Sequence, residues 1–161
     1  MKISRRIEKV KESPTLAITA KAKEMKQKGD DVVSFGAGEP DFDTPSHIKS
    51  AAIKSIEGGF TKYTASSGIP ELKQAICEKF NNDNGLAYES SQIVVSCGAK
   101  HSLYNIFQVI CDEGDEVIIP SPYWVSYTEM VKLAGGVPII PDTKQSDGFK
   151  IKPDALKKAI T

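Results

Sequence analysis

Apolar residues recur at helical spacing along most of the chain. The first such stretch follows Ser13-Pro14, a cap and a first helical residue, and stops at Gly29, which predicts a helix over about 14–28. The same signals predict further helices over about 45–57, from 70 to the polar sequence NNDNG, over 99–111, over about 123–134, and from 153 onwards.

Short runs of β-branched and other apolar residues separate some of these helices. Residues 92–96 (QIVVS), 116–119 (EVII) and 137–140 (VPII) alternate with helices in the order of a βαβαβ unit, which predicts an α/β fold. Residues 31–35 form a further short β-type run. Pro138 has no N–H to donate to a ladder, so we expect 137–140 at the edge of its sheet.

Composition and charge narrow the function classes. The 161 residues are 40% apolar and 26% charged, with 21 basic and 21 acidic side chains, which excludes a disordered tail, a collagen and a membrane span. Balanced charge offers no field for nucleic acid or an anionic membrane, so small-molecule chemistry is favoured. The N-terminus lacks the apolar core of a signal peptide, and we expect a cytoplasmic protein. Three cysteines without a C-x-x-C pair predict neither a disulfide framework nor a metal site.

The junction VVSCGAKHSL is the first candidate site. It places Gly98, Ala99 and Lys100 between a predicted strand and a helix start, where free N–H groups and the helix dipole favour an anion such as phosphate. The alternative is an ordinary strand-to-helix turn that contains glycine. The sequence is neither a Walker loop nor a dinucleotide fingerprint.

Three more places have the chemistry of a ligand site. The glycines of GAGEPDF allow close approach of the backbone to a ligand, or simply a tight loop. Trp124 follows the C-terminal end of a predicted strand, where it can stack on a flat cofactor or pack under a loop. Tyr63 lies in a predicted loop, where its phenol can bond a phosphate or nothing in particular.

Five segments of the chain resemble, in order, the N-terminal half of class I (fold-type I) pyridoxal-phosphate-dependent aminotransferases. They are SPTLAI, FGAGEPDFDTP, TKYTASSGIPELKQAI, VVSCGAKHSLYNIFQVI and GDEVIIPSPYWVSYTEMVKLAGG. Within that family the chain most resembles bacterial aspartate aminotransferases, some of which also accept prephenate. The resemblance implies an incomplete, mostly parallel sheet with flanking helices. It assigns residues 1–44 to the N-terminal arm and a small-domain segment, and 45–161 to the first part of the large cofactor-binding domain.

The resemblance also implies the residues that contact pyridoxal 5'-phosphate. Gly98, Ala99 and Lys100 match the phosphate-binding loop, with Ala99 at a position where the family often has glycine. Trp124 matches the indole stacked on the cofactor ring. Tyr63 matches the tyrosine that reaches the phosphate of the neighbouring subunit's cofactor, which implies a homodimer.

On the substrate side, the resemblance implies binding of an amino acid and a 2-oxo acid. The backbone of Gly38 matches the group that receives the substrate α-carboxylate, and Trp124 lies beside the same substrate. Lys11 and Thr15 fall where the aspartate-type subgroup contacts the distal carboxylate of its substrate.

The catalytic groups of the family match no position of this chain. The N-P-x-N-P-T-G segment, the Asp on the pyridine nitrogen, the Tyr on the ring hydroxyl, the Schiff-base lysine and the carboxylate-binding Arg all correspond to positions beyond Thr161. Transamination needs that lysine, and Lys100 in a phosphate loop cannot replace it. Three hypotheses follow: an aminotransferase part that works only with its missing C-terminal half, an inactive fragment, or a non-enzymatic α/β phosphate-binding module.

The strand pattern of the sequence and the family resemblance predict different strand orders for the sheet. Consecutive parallel strands are usually neighbours, which would put 92–96 beside 116–119. The family separates these strands and fills the gap from the missing half. We expect the family order, with an open gap lined by Val94, Ile118 and the inner face of helix 99–111. An isolated chain with such a gap should aggregate, swap or bind a partner.

Overall fold

The computed structural model describes residues 2–161 and divides them into two compact units. The first unit contains the chain up to Ala37 together with Ala99–Thr161, and the second contains Gly38–Gly98. The boundary expected between residues 44 and 45 rests on the family resemblance alone, so it stays a prediction.

Helices dominate both units. Residues 2–161 form α1 (Arg5–Glu8), α2 (Pro14–Gln27), α3 (Ser46–Glu57), α4 (Pro70–Asn84), α5 (Ala99–Ile110), α6 (Ser126–Leu133) and α7 (Pro153–Ala159), with 3-10 turns at Ser90–Gln92 and Gln145–Asp147. Two parallel strands, β1 (Glu116–Ile118) and β2 (Val137–Ile139), form the sheet. The predicted α/β class is therefore confirmed.

Helix ends follow the local chemistry of the sequence. The Ser13 side chain caps α2 by accepting the Leu16 N–H, and Pro14 occupies the first helical position. At the end of α4, Gly85 takes a left-handed conformation with a φ of 65°. These signals made helices 14–27 and 70–84 predictable to within a residue or two.

Other expected ends were wrong. The pair Thr44-Pro45 has the sequence signature of a cap followed by a first helical residue, but in the structure Pro45 holds the cap position of α3 without a side-chain hydrogen bond. Helix α6 begins at Ser126, later than the expected residue 123. The short helix α1 was missed, since four residues carry no periodic signal.

Two runs predicted as strands are not strands. Residues 31–35 and 92–96 have no ladder partner among residues 2–161. Within the second unit the Val95 N–H donates to the Ser67 carbonyl at 2.9 Å, but this bond does not continue into a ladder. A strand needs repeated bonds to a neighbour, and local sequence cannot provide that neighbour.

Strands β1 and β2, connected by α6, form a sheet in which the outer edge of β2 lacks a backbone donor at Pro138. The Val137 N–H donates to Asp115 at 2.7 Å, and Ile139 accepts from the Ile119 N–H at 2.9 Å. Backbone groups alternate direction along a strand, so Pro138, between these two residues, turns its missing donor away from β1. The expectation that 137–140 is an edge strand therefore has a structural reason.

The core of the first unit lies between α6 and the sheet. Val131 of α6 is fully buried, and Thr128, Met130 and Ile119 are nearly so. Helices α5 and α6 contact each other, and α6 also contacts β2. This packing fixes the segment between β1 and α6, which carries Trp124.

The second unit has its own small core. Cys77 of α4 and Ile93 are buried. Gly68 has a φ of 106°, and a Cβ there would come within 2.5 Å of the Val95 side chain. Glycine at position 68 thus lets the 67–69 backbone lie directly against residues 93–95.

Candidate functional site

The start of helix α5 has the geometry of an anion site. Gly98 takes a φ of 86°, a left-handed conformation that glycine adopts without strain, and no atom lies within 4 Å of the position its Cβ would occupy. Helix α5 begins at the next residue, Ala99. The N–H groups of Ala99 and Lys100 therefore belong to the first turn, where a helix has no acceptor of its own and its dipole is positive.

Trp124 lies beside this helix start, within the first unit. The Lys100 ammonium nitrogen is 5.9 Å from the centroid of the Trp124 ring, within the range of a cation–π interaction. The indole is 51% exposed, so it does not pack under a loop. The structure thus brings three of the expected cofactor residues, Ala99, Lys100 and Trp124, into one neighbourhood.

These residues fit the anionic and flat parts of pyridoxal phosphate. The first-turn N–H groups, which have no intrahelical acceptor, and Gly98, which has no side chain, suit a phosphate, and the half-exposed indole suits an aromatic ring. The Lys100 ammonium adds positive charge near this helix start, which favours an anion there.

Two other expected residues belong to the second unit. Tyr63 lies in the loop between α3 and α4 with its side chain fully exposed. Gly38 has open space where a Cβ would be. Their roles toward cofactor and substrate stay predictions.

Lys11 and Thr15 lie on the N-terminal side of the first unit. The Thr15 carbonyl accepts the Thr19 hydroxyl at 2.8 Å inside α2. The Lys11 N–H donates to Oε2 of Glu129 at 3.0 Å, and its side chain is exposed. The structure therefore ties the segment that contains Lys11 to helix α6.

Glu129 is a residue that sequence reasoning missed. Burial raises the pKa of its carboxyl, but hydrogen bonds from Lys132, from the Lys11 N–H and from Thr128 outweigh this and lower the pKa below its ordinary value. The sequence shows the Glu129–Lys132 spacing of one helical turn, but a bond to a residue 118 positions away leaves no local signal.

An apolar cavity of about 350 Å³ lies between α5 and β1. It is lined by Leu103, Phe107, Val117, Ile118, Ile119, Pro120, Pro122, Tyr123 and Tyr127. Ile118 and the inner face of α5 were expected beside a gap, and both line this cavity. Val94 belongs to the second unit, so its part in the gap stays a prediction.

The described residues contain neither a candidate metal site nor a candidate membrane-spanning helix. Among residues 2–161, no group of three or more His, Cys, Asp or Glu side chains is placed to hold a metal ion. Within the same residues, no helix combines the length and apolar character that crossing a membrane requires.

Comparison with known proteins agrees with the fold. The sequence profile of the family described as aminotransferase class I and II matches residues 30–161. The full chain is 58% identical to the aspartate aminotransferase of Geobacillus stearothermophilus, of which it covers 41%. It is 54% identical to the aspartate/prephenate aminotransferase of Nitrosomonas europaea and again covers 41% of that protein.

Solved structures give the same result. The aspartate aminotransferase from Thermus thermophilus with maleate superposes on the whole chain with a TM-score of 0.96 at 48% identity, and 42% of that protein is covered. The aspartate aminotransferase from Rhizobium meliloti gives a TM-score of 0.93 at 48% identity, with 40% covered. The chain thus has the partial fold-type I architecture and spans about two fifths of the length of these relatives.

Proposed function

Because the chain belongs to the class I and II aminotransferase family, we propose that it supplies the N-terminal part of a pyridoxal-phosphate-dependent aspartate aminotransferase. The observation that carries this proposal is the joint placement of the α5 start and the half-exposed Trp124, with Lys100 bridging them. A phosphate and an attached aromatic ring require an anion site and a flat apolar face side by side.

Each expected residue then has one task. The N–H groups of Ala99 and Lys100, with the bare Gly98, hold the phosphate, and Trp124 orients the cofactor ring. Tyr63 reaches the phosphate bound in the partner subunit of a homodimer. When bound, pyridoxal phosphate supplies the carbonyl and the electron-withdrawing ring through which an amino group passes between substrates.

Other residues of the chain select the substrate and orient it. The Gly38 N–H receives the α-carboxylate, and Lys11 and Thr15 meet the distal carboxylate. A dicarboxylic amino acid and its 2-oxo acid are the substrates that this pair of contacts favours, as the names of the relatives suggest for aspartate. The Nitrosomonas relative named for prephenate makes that acid the second candidate amino acceptor. Such an enzyme would work in the cytoplasm.

A chimeric enzyme tests this proposal. Residues 1–161 replace the matched 41% of the Geobacillus stearothermophilus aspartate aminotransferase, whose remaining segment supplies the groups that this chain lacks. We expect transamination of aspartate with 2-oxoglutarate by the chimeric enzyme, and competition between 2-oxoglutarate and prephenate shows which acceptor is preferred.

The isolated chain is the control. It should catalyse no transamination, and borohydride with pyridoxal phosphate should trap no single specific lysine. An inactive but folded chimeric enzyme would favour the fragment or the phosphate-binding module. Stoichiometric trapping at one lysine of the isolated chain would contradict the assignment of the catalytic lysine to the missing part.

A further inference from the structure

The Glu129 carboxylate joins two distant parts of the first unit. Its Oε2 atom accepts the backbone N–H of Lys11 at 3.0 Å, although the two residues are 118 positions apart. Glu129 lies on α6, whose neighbouring residues Thr128, Met130 and Val131 are buried. The acceptor is therefore carried by one of the best-packed elements of the protein.

The two oxygens of this carboxylate have different partners. Oε1 accepts from Lys132 Nζ at 2.8 Å and from the Thr128 hydroxyl at 3.3 Å, both on α6. Oε2 is thereby left to face Lys11. The Glu129 side chain is only 20% exposed, so water competes weakly for these bonds.

The segment that donates this bond makes its other described hydrogen bonds locally. We call residues 9–13, between α1 and α2, the arm. Its other described hydrogen bonds join sequence neighbours, as in Val10 N–H to Ile7 at 3.1 Å. Helix α1, just before the arm, also lies against α6. The bond to Glu129 thus joins the arm itself to α6, just before the capped start of α2.

We propose that Glu129 is a positioning residue that sets where Lys11 and Thr15 meet the acidic end of a dicarboxylic substrate. It touches neither substrate nor cofactor, and acts by holding the Lys11 backbone. The part concerning substrate rests on the proposed function, whereas the anchoring of the arm does not.

Amide hydrogen exchange in the folded chimeric enzyme tests the anchoring. We expect Glu129→Ala to speed exchange at the Lys11 N–H about tenfold or more, because a hydrogen bond to a charged acceptor is lost. Glu129→Gln keeps an amide oxygen as acceptor and should retain most of the protection. Glu24→Ala, which removes an exposed ion-paired carboxylate from α2, is the matched control and should leave Lys11 unchanged.

Kinetics of the chimeric enzyme test the substrate part. Glu129→Ala should raise KM for aspartate on the order of tenfold with kcat nearly unchanged, and leave KM for alanine, which has no distal carboxylate, as it was. Glu129→Gln should restore most of the affinity for aspartate. A general structural defect would instead move KM for both amino acids together.

The two measurements separate the possible failures. Unchanged Lys11 exchange in Glu129→Ala would overturn the anchoring and the proposal with it. Faster exchange with equal effects on aspartate and alanine would overturn the positioning role. If the chimeric enzyme carrying Glu129 has no activity, the proposed function fails, while the exchange experiment still decides whether Glu129 anchors the arm.

Discussion

Gly98 has a left-handed φ of 86° immediately before α5, where the first N–H groups of the helix have no intrahelical acceptor. Glycine after a predicted strand made this residue a candidate from sequence, and Trp124 was a candidate because it follows β1. The contact between Lys100 and Trp124 was not predictable, since it depends on how the segment between β1 and α6 is packed.

A proline at position 99 tests whether the backbone N–H of that residue binds the anion. Ala99 is the first residue of α5, where proline is tolerated, so Ala99→Pro removes an N–H without breaking the helix. We expect the chimeric enzyme to bind pyridoxal phosphate about 1.5–3 kcal/mol more weakly, the worth of a hydrogen bond to a charged group. Spectroscopic titration measures the affinity. Ala99→Ser, which keeps the N–H, is the control, and equal affinities of the two variants would contradict the assignment.

Protonation of Glu129 should weaken the hydrogen bond that joins the arm to α6. The pKa of Glu129 is lowered in the fold, so the stabilisation from its charge is complete above the pKa of an unfolded glutamate, about 4.3, and is lost as the pH falls through the lower folded value. The NMR shift of the Lys11 amide proton should follow this titration with a midpoint below the ordinary pKa of a glutamate. The transition should be absent in Glu129→Gln. A midpoint above that of an unfolded glutamate would show that burial outweighs the hydrogen bonds.

At the scale of elements, the helices were predictable and the strands only partly so. Caps, prolines and glycines act within a few residues, which explains why α2 and α4 were located closely. Residues 92–96 have the composition of a strand, but a strand exists only with a neighbour to bond. The pair β1 and β2 formed as expected because its connection, α6, lies between the strands in the sequence.

Helix α6 is expected to carry much of the stability of the first unit. Val131→Ala should lower the free energy of unfolding by about 2 kcal/mol, because it empties a fully buried site. Val109→Ala on α5, where the side chain is 83% exposed, should cost less than about 0.5 kcal/mol. Urea unfolding followed by circular dichroism compares the two valines. Equal losses would mean that α6 does not form the core of the chain in solution.

At the scale of the whole molecule, each of the two units leaves large apolar side chains in water. Among them are Phe35, Phe42, Ile56 and Val109. The chain spans only two fifths of its relatives, and apolar surface of this extent is typical of interfaces.

The isolated chain should therefore associate in solution. Sedimentation velocity is expected to show species heavier than the 17.5 kDa monomer, and addition of the remaining segment of the Geobacillus relative should replace them with a defined complex. Excess maltose-binding protein is a control for unspecific capture. A well-folded, monodisperse monomer would contradict this expectation and show that the exposed apolar side chains are not an interface.

Because Pro138 faces the outer edge of β2, the two edges of the sheet differ in their ability to pair with a further strand. Strand β2 has three residues, and the central one has no donor on its outer side, so another strand finds a proper ladder only along β1. Two copies that joined through their β1 edges would form a four-stranded sheet with a proline on each outer side. Both outer edges of such a sheet would lack a central backbone donor, so pairing would stop at two copies and would not continue into a fibre.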